Sequence, residues 1–145
     1  MSYLAKTEII HLSTATILFA IFAYLFGPLV ASSSFFGAFL IDADHMFDFA
    51  IYLLQNKKPF SLETFFKADF FKGVKKLYLP LHSWELSLTL MALYFFVFQP
   101  IFLVLGFSVF THLAVDQLTN NVLPTAYFLT FRVARDFSKG IVCKS

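Results

Sequence analysis

Thiols and formal charge are what this chain has least of. Its one cysteine, Cys143, stands close to the C-terminus, which excludes a disulfide framework and a cysteine-based zinc motif. Charged residues are only 14 % of the 145 positions, against roughly 25 % in a soluble domain. Hydrophobic residues reach 59 % and aromatics 20 %, with 22 phenylalanines, more apolar surface than a soluble fold of this size can hide. Low-complexity linkers and internal repeats are also missing. The composition therefore predicts one integral membrane domain over residues 1–145.

Positive charge is absent from long stretches and concentrated in three places. Lys6 stands near the start, Lys57, Lys58, Lys67, Lys72, Lys75 and Lys76 share a central segment, and Arg132, Arg135, Lys139 and Lys144 close the chain. A nucleic-acid surface would interleave such residues on one folded face. Here they separate apolar blocks, so no nucleic-acid partner is expected.

The first block, Ile9 to Phe26, is about 18 residues long, enough to span a bilayer as a helix. With Lys6 before it and Ala31-Ser32 beyond, it has the outline of a signal peptide, yet it carries a polar His11 that a cleaved segment would not need. The second block runs from about Leu29 to Asp48, with an amphipathic extension through Leu54. Leu81 to Phe98 and Ile101 to Leu118 complete the set. Gly27-Pro28 and Gln99-Pro100 make two tight turns, with glycine suited to ending a helix and proline to opening the next.

Those two turns carry no charge, whereas the other three connecting or terminal segments carry all eleven basic residues. The positive-inside rule then predicts four crossings of the inner (cytoplasmic) membrane with both termini in the cytoplasm. Gln55 to Pro80 mixes lysines with Phe60, Phe65, Phe66, Phe70 and Phe71, and the tail from Thr125 mixes Arg132 and Arg135 with Tyr127, Phe128, Phe131 and Phe137. Both suit helices lying in the headgroup layer. The expected fold is thus all-α: a four-transmembrane-helix bundle with amphipathic interfacial helices in the 55–80 loop and at the C-terminus.

Against this background the ionisable residues at the helix ends stand out, because each costs at least about 2.5–3.5 kcal/mol to insert and is kept for pairing or function. His11 opens the first span, Asp42, Asp44, His45 and Asp48 end the second, His82 and Glu85 open the third, and His112 and Asp116 lie near the end of the fourth. Residues three or four apart share a helix face, which pairs Asp42 with His45, Asp44 with Asp48, His45 with Asp48, His82 with Glu85 and His112 with Asp116. With both termini inside, all four places fall at the cytoplasmic boundary. Four helices delivering one histidine each, plus carboxylates, to one level make a bundle-core metal site.

Imidazole with carboxylate suits zinc, manganese or iron. Eight candidate ligands, namely His11, Asp42, Asp44, His45, Asp48, His82, His112 and Asp116, exceed what one tetrahedral ion needs, so one or two ions are expected. Two would allow the clamp of a dinuclear phosphoester hydrolase. Asp42 or Asp48 would bridge metals or act as base. Glu85 stays open between orienting a ligand histidine, acting as base, and pairing with a lysine.

The motif Asp42-x-Asp44-His45-x-x-Asp48 after an apolar helix, the early His11, the His82-Ser83 pair and the His112-x-x-x-Asp116 pair resemble the membrane-bound metal-dependent hydrolases typified by YdjM. The resemblance spans all four apolar blocks, although Ile41 stands where that family usually has proline, and Leu79-Pro80-Leu81 where it has an arginine-rich stretch. It implies a zinc-dependent hydrolase distantly like phospholipase C enzymes. Metal-activated water would then attack a phosphoester of a lipid or lipid-linked substrate, with the Lys57–Lys76 segment binding anionic membrane lipid.

Plainer readings compete. His11 and His82 could be interfacial anchors, Asp42 to Asp48 a solvated loop, and His112 with Asp116 a self-contained pair; Trp84 reads as an interface-belt residue. Two other functions use the same residues: a transporter or proton relay, which would need polar groups continuing to the outer face, and a scaffold held by a structural metal. The oligomeric state is not legible.

Overall fold

A computed structural model of the chain describes residues 3–66, 70–120 and 122–141. Lys67, Asp69, Cys143 and Lys144 lie outside the described residues. The architecture is all-α, and an isolated antiparallel bridge joins Lys76 to Ser138.

Helix α1 (Tyr3–Phe26) carries the first apolar block without interruption, and Gly27 turns the chain with a positive φ of 85° that a side chain would resist. Pro28 then opens α2 (Pro28–Ala31), followed by α3 (Ser33–Phe39), a 3-10 turn over Leu40–Asp42, and α4 (Ala43–Asn56). One helix from Leu29 to Asp48 was the expectation; the structure breaks it twice. Ser32 and Ser33 bond back to the carbonyls of Leu29 and Val30, each at 2.7 Å, a habit that bends helices. The tight turn at Leu40–Asp42 then redirects the chain just before the acidic residues.

The 55–80 segment is likewise not one interfacial helix. It contains α5 (Leu62–Phe66) and α6 (Phe70–Gly73), and reaches α7 (Trp84–Val97) through an irregular stretch. Helix α7 begins three residues later than the apolar run because Ser83 caps it, its Oγ accepting from the Leu86 N–H at 3.1 Å. Helix α8 (Pro100–Thr119) runs unbroken, with Pro100 at its first turn. The tail holds the six-residue α9 (Leu129–Ala134) and a short 3-10 turn at Lys139–Ile141 rather than a long interfacial helix.

Among the described residues two helices are long and apolar enough to cross a membrane, α1 over Thr7–Phe26 and α8 over Pro100–Thr119. Helix α7 is apolar but has 14 residues, about 21 Å at 1.5 Å per residue, short of a hydrocarbon core of roughly 30 Å. Helix α8 is the hub: α1, α3 and α7 all pack against it. Small residues allow the approach. A Cβ at Gly37 would sit 2.5 Å from that of Ser108, and one at Gly106 would meet the Met91 side chain at 2.6 Å. Buried serine hydroxyls bond across the gaps, Ser87 Oγ to the Gly106 carbonyl at 2.9 Å and Ser108 Oγ to the Ser34 carbonyl.

The larger apolar core lies at one end of this bundle. There Phe49, Tyr52, Phe70, Leu77, Leu113 and Tyr127 join α4, the 70–79 stretch, α8 and the 122–127 segment into a cap. The stretch from Lys75 to Leu77 is stitched to the tail by the bonds from Leu77 N–H to the Phe137 carbonyl and from Lys139 N–H to the Lys75 carbonyl. A smaller cluster of Phe22, Ala31 and Val104 closes the opposite end.

Candidate metal centre

Between bundle and cap the four histidines meet. His11 projects from α1 and His112 from α8, their rings stacked with centroids 4.0 Å apart. His82 sits on the turn before α7, with its ring 5.3 Å from His112 and 4.8 Å from His45 of α4. His11, His82 and His112 are almost fully buried, whereas His45 is about a quarter exposed.

Four donor atoms define the centre: His82 Nε2, His112 Nε2, Asp42 Oδ1 and Asp116 Oδ2. His82 Nε2 lies 3.4 Å from Asp42 and 3.5 Å from Asp116, and His112 Nε2 lies 3.5 Å from each. A charge-assisted N–H···O bond settles at about 2.7–2.9 Å, so these contacts are long for hydrogen bonds. They are close to the spacing of about 3.3 Å between neighbouring ligands that stand about 2.0–2.1 Å from a tetrahedral ion, and the donors fall into two overlapping candidate groups, Asp42 with His82 and His112, and Asp116 with His11 and His112. Both Nε2 atoms are buried without a hydrogen-bond partner, a cost that coordination would remove. Buried His and Asp clusters here could therefore hold a metal ion.

Each imidazole is oriented from behind. The Nδ1 of His82 donates to the Asp44 carboxylate at 3.0 Å, and Asp44 Oδ2 also accepts from the backbone N–H of Leu81 and of His82, which fixes the turn bearing the ring. The Nδ1 of His112 donates to the Ala38 carbonyl at 2.9 Å, an acceptor freed where α3 gives way to the 3-10 turn. Both bonds direct the Nε2 lone pairs inward, the arrangement that metal-ligating histidines need. Asp116 is held on its other oxygen by His11 Nε2 at 3.2 Å, and Tyr127 Oη approaches Asp116 Oδ2 at 3.4 Å.

The eight expected ligands thus divide by place. Asp42, His82, His112 and Asp116 form the centre; His11 abuts it through Asp116. His45 stands at the open side, its Nε2 3.4 Å from Asp42 Oδ1, and groups with Asp44 and His82 as a third candidate cluster. Asp48 falls in none of these clusters. Its two oxygens accept from Tyr78 and Leu79 N–H at 3.0 and 3.2 Å, and it braces the loop instead. Glu85 also turns away, accepting from the N–H groups of Leu129 and Thr130 and from the hydroxyls of Thr130 and Ser83. It ties α7 to the start of α9, and among the described residues its hydrogen bonds go to no metal ligand and no lysine.

Two contributors come from the tail. Arg132, whose charge serves only topology in the sequence, is fully buried and donates to the carbonyls of Tyr78, Leu79 and His82, with the last at 2.6 Å. Tyr127 reaches Asp116 from the same segment. No periodicity links either residue to the histidines; the single hint is an arginine and a tyrosine in an otherwise apolar run.

Charge is balanced by proximity. Burial opposes a charge on the His82 ring, but the oxygens of Asp116, Asp42 and Asp44 outweigh it and hold its pKa well above the ordinary imidazole value. Burial would raise Asp42, yet its contacts to His112, His45 and His82 bring it far below the usual carboxylate range. Burial pushes the Tyr127 hydroxyl upward and the Asp116 charge adds to it, so it stays a neutral donor. No family model matches the chain, and no curated protein or solved structure matches it.

Proposed function

We propose that this chain is a membrane-embedded hydrolase whose divalent metal, zinc by preference, serves the cleavage of a phosphoester in a lipid or lipid-linked substrate at the cytoplasmic face. The observation that carries the reading is the set of four nitrogen-to-oxygen contacts of 3.4–3.5 Å among His82, His112, Asp42 and Asp116, whose two imidazole nitrogens are buried and otherwise unpartnered. A nitrogen-oxygen donor set with two imidazoles favours zinc over the octahedral, all-oxygen magnesium type. A resemblance to YdjM-like hydrolases in the same residues points the same way.

Membrane placement is supported by the outward faces of the long helices. Ile9, Ile17, Ile21, Tyr24 and Leu25 of α1 and Ile101, Phe107, Phe110 and Leu118 of α8 are exposed, an apolar belt too extensive for water. In this reading α1, α2–α3, α7 and α8 all cross, and local thinning of the bilayer accommodates the shorter ones. The exposed Lys57, Lys58, Lys75 and Arg135 belong to the cap beside the centre, as positive-inside orientation with cytoplasmic termini requires.

A divalent cation held by these donors would, on adding a fifth ligand at the open side by Asp42, supply an activated water and neutralise charge on a phosphoryl oxygen. The chain's own residues do the rest. Asp44 and the Ala38 carbonyl hold the two ligand imidazoles in one tautomer, and Tyr127 and His11 fix Asp116. Asp42 is 32 % exposed where the other three donors are 8 % or less, so the centre opens on its side. His45, beside Asp42 at that opening, is placed to take or give a proton at Nε2.

A second reading follows from the same residues: four protein donors are enough to fill every position of a tetrahedral ion, the mark of a structural site. Hydrolysis separates the two. Zinc-loaded protein in detergent, given phosphatidic acid and polyprenyl phosphate, should release phosphate, and His45→Ala should slow release while keeping the metal. Full metal occupancy with no turnover on such phosphoesters would reject the hydrolase and leave the structural ion.

A further inference from the structure

Beside the metal centre runs an apolar groove of about 400 Å³, formed where α3 faces the meeting of α7 and α8. Leu29 and Ile101 lie at the end nearest the tight turns, and Leu40, Ile41 and Leu81 at the end nearest the centre. Gly37 forms part of its wall, packed so closely on Ser108 that no side chain fits there. The volume lies within the roughly 300–1,000 Å³ of small-molecule sites.

Two observations identify the occupant. The hydroxyl protons in the lining are already used: Ser32 and Ser33 donate to the Leu29 and Val30 carbonyls, so among an otherwise apolar lining neither serine has a proton left to give a polar ligand. The inner end is also continuous with the centre through the chain itself, because Ile41 and Leu81 directly precede Asp42 and His82. A molecule lying along α3 would place a hydrocarbon chain between the helices and whatever it carries at its head beside Asp42 and His45, the exposed edge of the centre.

From this we infer that the groove is the binding site for one hydrocarbon chain of the lipid substrate, with the headgroup delivered to the metal centre; the inference rests on the membrane and metal readings above. It predicts selectivity for long-chain over water-soluble phosphoesters, since each methylene buried in the groove raises affinity by about fourfold. Annular lipid elsewhere meets the exposed side chains of the outer belt, such as Tyr24 and Phe96, which would show no such preference.

The test is photo-crosslinking of the full chain in phosphatidylcholine nanodiscs doped with phosphatidic acid that carries an acyl-chain diazirine, with adducts mapped by mass spectrometry. Adducts should concentrate on Phe36, Leu40, Leu86 and Leu105. Leu105→Trp, which fills the groove, and Leu40→Gln, which makes its mouth polar at an exposed position, should each lower that labelling several-fold while metal content stays at the wild-type level. His82→Ala should lose metal but keep groove labelling, so failure of the metal reading shows separately from failure of this one. Labelling spread evenly over Tyr24, Leu88 and Phe96, or groove labelling unchanged in both groove variants, would overturn the assignment.

Discussion

His82 gives its Nδ1 proton to the Asp44 carboxylate at 3.0 Å, and that bond settles what the other ring nitrogen can do. With Nδ1 occupied, Nε2 is the free donor atom, and it points at Asp42 and Asp116. Asp44 is therefore predicted to act on metal through His82. Asp44→Asn should weaken zinc binding about 10–100-fold without abolishing it. Titration calorimetry would check this, and unchanged affinity would remove the orienting role.

Arg132 should matter through the backbone it holds. Its guanidinium satisfies the buried carbonyls of Leu79 and His82 and the part-buried one of Tyr78, and an unmet buried acceptor costs about 1–3 kcal/mol. Arg132→Ala should therefore destabilise the protein by about 3 kcal/mol or more in detergent unfolding. It should also loosen metal binding, because the Leu79–His82 turn loses its clamp. Normal stability with normal metal affinity would contradict the account.

Much of the centre was legible because helices space residues regularly and an up-and-down path returns their ends to one level. His112 and Asp116, four apart, do share a buried face and converge on one centre. What periodicity could not reach is what a side chain meets across the fold. Asp42 and Asp44 look alike in sequence, yet the turn at Leu40–Asp42 leaves Asp42 at the open side and buries Asp44 against the N–H groups of Leu81 and His82. Asp48 and Glu85 met the spacing rule for helix-face partners and were claimed by backbone N–H groups instead. The broken second helix was hidden for a related reason: Ser32 and Ser33 fit an apolar helix by composition, and only their bonds to preceding carbonyls reveal the bend.

Glu85→Gln offers a control. The carboxylate caps the start of α9, so the substitution should cost about 1 kcal/mol of stability and leave metal content and turnover as in wild type. A selective loss of turnover at full stability would instead give Glu85 a chemical role.

Metal affinity should rise with pH. The His82 pKa lies well above its ordinary value of about 6.5, so the metal-free ring is protonated near neutrality and a ligating ion must displace that proton. Each proton displaced makes affinity change roughly tenfold per pH unit below the raised pKa. The sign for stability is the opposite. The raised value means the proton stabilises the metal-free fold below about pH 6.5, and this contribution is lost as pH rises through the folded-state pKa. Metal-free protein should then melt earlier at alkaline pH, and added zinc should restore it. Unfolding series with and without chelator would show whether the two trends run in these opposite directions.

The central claim is that four side chains from distant parts of the sequence share one ion. Elemental analysis of protein purified in detergent, equilibrated with zinc and dialysed, tests it most directly. At least one ion per chain is expected in wild type, and none retained in His82→Ala or His112→Ala when both still fold. A metal-free wild type, or equal loading in the two variants, would contradict it.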